Sequence, residues 1–360
     1  MIKNIKNILI AAGVVVVGVV VVLASGLWSP SWNPFKLSGG QGDIVIDSLG
    51  KSLAAKSFAL DGQLAIVMET TAAILGDDGL AKPVKLNLTS HEQIDKADPQ
   101  NIKAKALINL ALETEGATVA ADLEGIGVGD NVYLKLVSFP NFLPLPIDLT
   151  KIKDQWVKLS IKDLQNKLAA SGLQMPANGE DDFQTTLKNL QEIAQNKKFF
   201  DVQRRLGQEE VAGAMAQHYA VGLNKRAARD LIPAYLDVVK KSATPEQQVQ
   251  AEQQIKEIKA ELDANFEKYW QSLGGFVFDV WIDKASGRLV KVSWQKDIDP
   301  SKFSQTQEDI KKMNLKIELI FSKFNESFEI TEPSEFKTAQ ELLGNLIPDS
   351  SATSTTPIKP

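Results

Sequence analysis

Few residues in this chain have the type and spacing to do chemistry. It contains two histidines, His91 and His218, and no cysteine. Thiolate metal ligands, disulfides, a cysteine nucleophile and a lipid-modified cysteine are therefore excluded. His91 stands beside Glu92 and His218 before Tyr219, and neither has a second histidine at ligand spacing. Both read as strand or surface histidines. Gly125-Ile126-Gly127-Val128-Gly129 has the look of a phosphate-cradling loop. Such a loop must feed a helix N-terminus, whereas Tyr133-Leu134-Lys135 is strand-like. The paired acids Asp181-Asp182 and Asp297/Asp299 could in principle share acid/base work. The first pair better suits a helix start and the second a solvated turn. No Gly-x-Ser-x-Gly, His-Glu-x-x-His or supported Ser-x-x-Lys occurs. No catalytic, cofactor-binding or metal residue is assigned, and an enzyme is not expected. What remains for function is apolar surface, and the elements that would shape it.

The amino terminus sets the compartment. Lys3 and Lys6 precede an apolar run from Ile8 to Trp28, about 31 Å long as a helix and close to the roughly 30 Å hydrocarbon core of a bilayer. Trp28 and Trp32 fall where an interfacial aromatic belt belongs, and the leading lysines keep the N-terminus cytoplasmic. Residues 1–28 are expected to be a signal anchor spanning the membrane through residues 8–28. The protein is then single-pass, with its C-terminal ectodomain outside the cytoplasm. The alternative is a signal peptide cleaved near Val22-Leu23-Ala24, giving a secreted protein. Across the chain 45 acidic residues outnumber 40 basic ones, and no Lys/Arg-rich block carries interleaved aromatics. Nucleic acid is therefore not an expected partner.

Residues 29–43 read as a Pro/Gly/Ser-rich juxtamembrane linker and 348–360 as a disordered Ser/Thr/Pro tail. Between them, 44–347 reads as one folded region. Its first half alternates with a period of two. Phe58, Leu60, Leu64, Ile66 and Met68 share one phase, as do Val84, Leu86 and Leu88, then Ile108, Leu110 and Leu112, then Val132, Leu134 and Leu136. Turn chemistry separates these runs at Gly76–Gly79, Ala97–Gln100, Glu115-Gly116 and Gly129–Asn131. The middle changes period. Helical spacing runs through Ile161, Leu164 and Leu168, then Phe183, Leu187, Leu190 and Ile193. A helix from about Asn224 to Lys241 contains Pro233, which should kink or split it. The clearest helix begins at Thr244-Pro245-Glu246-Gln247, a cap with proline in the first helical position, and ends at Gly274-Gly275. An extended stretch is expected over Gln208–Leu223. The last third returns to strands, with Phe276, Phe278, Val280 and Ile282 in one phase and Met313, Leu315, Ile317, Leu319 and Phe321 in another. Strands, helices, strands is the order of an α+β domain: a large curved antiparallel sheet with helices packed on its concave face.

Several segments give this order a family likeness. They are Ser57–Gly62, Asn131–Leu136, Gln155-Trp156-Val157-Lys158-Leu159, His218–Lys225 leading into a helix, the hairpin Phe278–Asp283 with Gly287, and Phe324–Pro333 closing the sheet. In these the chain resembles the LppX/LprAFG lipoproteins and, more widely, the LolA-like envelope carriers, over roughly residues 44–345. The resemblance implies a half-barrel sheet curled around helices, with an apolar cavity for acyl chains, in proteins that carry lipids, lipoglycans or lipoproteins across the envelope. The chain departs from it in having no lipobox cysteine, so any anchor is a peptide helix, and in its long helix at 245–272.

These readings converge on a membrane-tethered protein that sequesters an apolar or acylated ligand between sheet and helices. Leu64, Ile66, Ile108, Leu110, Phe276, Phe278, Leu319 and Phe321 are the candidate lining, and Ile255, Ile258, Leu262 and Phe266 the face of a candidate gate helix. The alternative is an interaction or sensor module of the envelope, with a closed core, no ligand and an envelope protein as partner.

Overall fold

A computed structural model describes residues 43–70, 83–114, 117–129, 131–140, 152–160, 198–230, 245–272, 276–299 and 310–338, with 233, 236 and 341 singly. The Ile8–Trp28 segment, the linker to residue 42, the helical spacings at 161–193, Asp181-Asp182 and the tail lie outside them. Among the described residues no helix is long and apolar enough to cross a membrane.

The chain enters through helix α1 (Ile44–Leu53), capped by Asp43. Five strands follow: β1 (Ser57–Thr70), β2 (Pro83–Asp95), β3 (Lys103–Thr114), β4 (Ala117–Val128) and β5 (Asn131–Ser138), then β6 (Trp156–Ser160). Next come β7 (Phe200–Val211), β8 (Ala214–Leu223), helix α2 (Pro245–Ser272), β9 (Val277–Asp283), β10 (Leu289–Ile298), β11 (Ile310–Ser322) and the short β12 (Lys337–Thr338). All twelve strands form one sheet in the order β12-β6-β5-β4-β3-β2-β1-β11-β10-β9-β8-β7. Ten of its joints are antiparallel, but β12 runs parallel to β6, so the sheet is mixed rather than purely antiparallel. Most strands pair with a neighbour in sequence, and besides the β12–β6 joint the long-range joint is β1 with β11, from Ala59↔Ser322 to Met68↔Met313. The β1–β11 joint unites the two strand-rich thirds of the sequence into one sheet.

Alternation decides the faces, because successive side chains of a strand point to opposite sides. Register then extends one phase across the sheet. The row Trp294–Ile317–Leu64–Leu88–Leu110–Ala121 crosses β10, β11, β1, β2, β3 and β4 on one side. A parallel row runs Leu315–Ile66–Leu86–Leu112–Val119. The other side carries Asp61, Gln63, Asn87, Thr89, Lys105 and Lys316. There Asp61 meets His91, and Lys135 and Lys105 both meet Glu124. His91 is thus a polar-face residue of a central strand. The exposed Asp61–His91 pair is worth at most about 1 kcal/mol.

Three apolar clusters succeed one another along the apolar face. At one end α1 docks Val45 and Leu53 against Phe58, Ile94, Val221, Val280, Ile282, Leu289 and Phe321. Midway Ala106 and Ile108 gather Leu88, Leu123 and Leu134. At the far end Met68, Val84, Leu86 and Leu112 gather Ile66, Leu110, Val119 and Met313. Ser52 fixes α1 to the sheet through its hydroxyl, which donates to the Leu289 carbonyl at 2.8 Å.

Several sequence expectations are corrected. Helix α1 was not anticipated; its signals are Asp43 as N-cap and the spacing of Val45, Leu49 and Leu53. The β7–β8 hairpin starts at Phe200, upstream of the extended stretch expected from Gln208. It turns at Ala212-Gly213, both with positive φ (49° and 80°), as a two-residue hairpin with matching twist requires. Strand β7 is at the sheet edge and exposed over most of its length, so it carries no apolar alternation to read. Asp297 lies within β10, not in a turn, and pairs with Asn314 across the strands. Phe324–Pro333 is irregular rather than a closing strand. It crosses the polar side of the sheet, placing Phe328 and Ile330 against Ile126, Tyr133 and Trp156. Phe276 precedes β9 with φ 47° instead of belonging to it. The helix expected from Asn224 is described over 225–230, with Asn224 Oδ1 accepting from the Ala227 N–H at 3.0 Å. Helix α2 occupies the expected span.

Candidate functional site

The apolar face is the candidate site, and it is built by pleat and register. Leu64 and Leu110 share one cross-strand row, Ile66 lies in the next, and Ile108 and Leu319 lie in a third: Val292–Leu319–Gly62–Ser90–Ile108–Leu123. Phe321 lies in a fourth row: Phe321–Leu60–Glu92–Ala106–Gly125–Leu134. Phe278 faces the same way and meets Phe200 edge-on at 5.3 Å. Seven of the eight proposed lining residues thus share one face through strand alternation. The eighth, Phe276, reaches it from outside the strand, its ring stacked on Trp294 at 5.8 Å. Ile108 and Phe321 are buried, whereas Leu64, Ile66, Leu110 and Leu319 are half-buried.

Helix α2 joins this face through a ladder of rings. Phe266 stacks on Trp270 at 5.7 Å, Trp270 tilts against Phe276 at 5.6 Å, and Phe276 stacks on Trp294 of β10. Aromatic pairs at such distances are worth about 0.5–1.5 kcal/mol each beyond area burial. Exposed ion pairs Lys225–Glu267 and Arg229–Asp263 tie α2 to the 225–230 helix. Of the four proposed gate residues, Ile255 and Phe266 are buried. Ile258 and Leu262 belong to α2, but their side chains lie outside the described set.

Sequence reasoning missed the polar residues on this face. Glu92 sits in the apolar phase of β2 and is 3% exposed. Ser90 hydrogen-bonds its carboxyl, while its Oε2 has no hydrogen-bond partner among the described residues. Burial pushes its pKa up to about 7, against the opposing pull of Ser90 and His91 and aided by Asp61. The signal was present: the phase Val84, Leu86, Leu88, Ser90, Glu92, Ile94 is interrupted by two polar residues. Gly62 explains how Ser90 is seated, since a Cβ there would come within 2.6 Å of Ser90 Oγ. Just past the end of β2, Lys96 is buried, its ammonium donating to the Leu53 carbonyl and lying 5.3 Å over the Phe58 ring. Burial lowers its pKa to about 8.

Asp43 is the third buried charge. Its Oδ1 accepts from the Ile46 N–H at 3.3 Å and its Oδ2 from Phe199 and Phe200 N–H at 3.0 Å each. It couples the start of α1 to the start of β7, with burial still holding its pKa above the usual value.

The glycines of Gly125–Gly129 lie in β4 and its turn, with Gly125 and Gly127 inside the strand opposite Ala106 and Ala104. His218 lies on the polar side, held by Asp279 at 2.9 Å and stacked on Trp281 at 4.1 Å. Among the described residues no three His, Asp or Glu side chains group as a metal site would require.

No family model matches the chain, and no curated protein matches it. Among solved structures it is similar to the Mycobacterium tuberculosis lipoprotein LppX, at 14% identity and a TM-score of 0.30, covering 83% of this chain and 100% of that one. It is also similar to LprF from Mycobacterium bovis, at 11% identity and a TM-score of 0.32, covering 81% of this chain and 96% of that one.

Proposed function

We propose that this protein is an extracytoplasmic, membrane-tethered binding protein. In this reading it sequesters acyl chains between the apolar face of a half-barrel sheet and its helices, and it performs no catalysis. The observation that carries the reading is the apolar face itself, whose central rows keep Leu64, Leu88, Leu110, Ile317 and Leu319 half-buried rather than sealed. Sheets facing water on one side present their apolar phase to a core. Here α1 covers that phase at one end. Transfer of acyl chains onto such a face is favourable by about 0.8 kcal/mol for each CH₂ removed from water. Helix α2, hung on the ladder Phe266–Trp270–Phe276–Trp294, is the element suited to open and close the face. The apolar run Ile8–Trp28 supplies the tether, which makes the protein a resident acceptor or relay at the membrane rather than a free shuttle.

The test is lipid extraction and mass spectrometry of the full chain purified from membranes in a mild detergent, together with titration of a fluorescent acyl-chain probe without a carboxylate, pyrene-labelled hexadecane. Co-purified lipid and saturable uptake are expected. A chain that is free of lipid and takes up no probe is an envelope interaction module, and the carrier reading fails.

A further inference from the structure

The apolar face carries one group that an acyl-chain cradle does not need. Glu92 is flanked across the strands by Leu60 and Ala106, and its own strand offers Ser90 and Ile94 on the same side. A carboxyl here is costly, since a buried polar atom without a partner forfeits its hydration. Three features of the surrounding face accommodate it. Gly62 lacks the side chain that would strike Ser90, Ala106 is small, and beyond Ala106 lies Gly125. The small residues make a shallow place in a face otherwise built of leucine, isoleucine and phenylalanine. Ser90 satisfies part of the carboxyl and leaves Oε2 open. The charges nearest in sequence cannot neutralise it. His91 and Asp61 point to the opposite side and are paired with each other, and Lys96 is engaged with the Leu53 carbonyl.

Resting on the binding reading above, we propose that Glu92, seated by Ser90 and Gly62, is the polar anchor of the site and selects neutral acyl esters, the glycerol ester of a diacylglycerol being the simplest. Below about pH 7, where burial keeps it protonated, the carboxyl donates its O–H to an ester carbonyl and accepts from a free glycerol hydroxyl. The same group gives a bare hydrocarbon nothing to bond, and once ionised it repels a free fatty-acid carboxylate. The anchor also fixes which end of the lipid is held at the middle of the sheet, since the apolar rows through Leu64 and Ile66 run on from it toward Met68.

The experiment uses the full chain in a mild detergent and two probes, dioleoylglycerol and pyrene-labelled hexadecane. Glu92→Leu should weaken dioleoylglycerol about tenfold, the scale of one buried hydrogen bond, and leave the hydrocarbon probe unchanged. Glu92→Gln, which keeps hydrogen-bonding capacity, should stay within about threefold of wild type for both. A second measurement needs no destabilising variant. The infrared stretch of a protonated carboxylic acid, assigned by its loss in Glu92→Gln, should shift when dioleoylglycerol is added and stay in place with hexadecane. Equal dioleoylglycerol affinity in wild type and Glu92→Leu, or an unmoved stretch, overturns the anchor while the carrier reading stands. Hydrocarbon binding without any dioleoylglycerol binding also overturns it. If wild type binds neither probe, the binding reading and the anchor fail together.

Discussion

Replacing Glu92 with glutamine removes one titration from the interior without changing its shape, and the consequence can be worked out in sign and size. A free glutamate releases its proton near 4.5, while Glu92 in the fold holds it to about 7 because burial disfavours the anion. Below pH 4.5 both states are protonated and the group is neutral in its effect. Between 4.5 and 7 the unfolded chain ionises and the folded chain does not, so stability falls as pH rises; above 7 the loss is complete. At about 1.4 kcal/mol per unit of pKa difference, the total is about 3 kcal/mol, of which about 2.5 kcal/mol falls between roughly pH 5 and pH 8.5. Lys96 acts in a different window. Its pKa is lowered to about 8 from 10.5, so it adds stability only as pH rises from 8 upward, reaching its full effect above 10.5. Asp43, also raised by burial, contributes with the same sign as Glu92, but equally in wild type and variant. The assay is guanidinium unfolding followed by far-UV circular dichroism, wild type against Glu92→Gln, from about pH 5 to pH 8.5. Wild type should lose about 2.5 kcal/mol more than the variant across that range. Parallel pH profiles would show that the carboxyl ionises as freely in the fold as in water, and the account of its burial would be wrong.

Three further outcomes follow from particular contacts. Asp43→Ala leaves three backbone N–H groups without their acceptor and should cost about 3 kcal/mol in guanidinium unfolding, with Asp43→Asn retaining part of the cap and costing less. Gly62→Ala drives a Cβ toward Ser90 Oγ; in a double-mutant cycle with Ser90→Ala the two changes should couple by about 1 kcal/mol, and strict additivity would show that Ser90 moves aside freely. Phe276→Ala cuts the ring ladder between Trp270 and Trp294, so hydrogen exchange should speed up in α2 while β1 and β2 keep their protection; uniform acceleration across the sheet would mean that α2 is part of the core rather than a hinged cover.

Much of the architecture was legible because alternation is a local property. Leu64 and Ile66 declare their side of β1 without reference to any other strand, and the same holds for Ile108 and Leu110 in β3 and Leu319 and Phe321 in β11. The α2 boundaries were likewise local, set by Pro245 at the first helical position and by the spacing of the apolar residues that follow it. Strand β7 was illegible for the opposite reason. As an edge strand exposed on both sides, it has no buried phase to write into its sequence. Helix α1 was overlooked because ten residues between a Gly-rich linker and a long strand carry a weak periodic signal. Phe276 looked like the first member of an alternating strand, and only its positive φ and its stacking on Trp294 place it outside β9.

The candidate lining divides in the same way. Sequence alone determined which residues are apolar and which phase they share. It also fixed the composition, with no cysteine and a slight excess of acidic over basic residues. Tertiary structure decided how those phases add up, because register is a relation between strands and no strand encodes its partner. The joint of β1 with β11 sets Leu64 beside Ile317 across some 250 residues of chain. Only the joined sheet shows that Glu92, unremarked beside a histidine in the sequence, is a carboxyl in the middle of an apolar face. Burial is a sum over neighbours from many elements, so the sequence could supply the residue but not the environment that changes its chemistry.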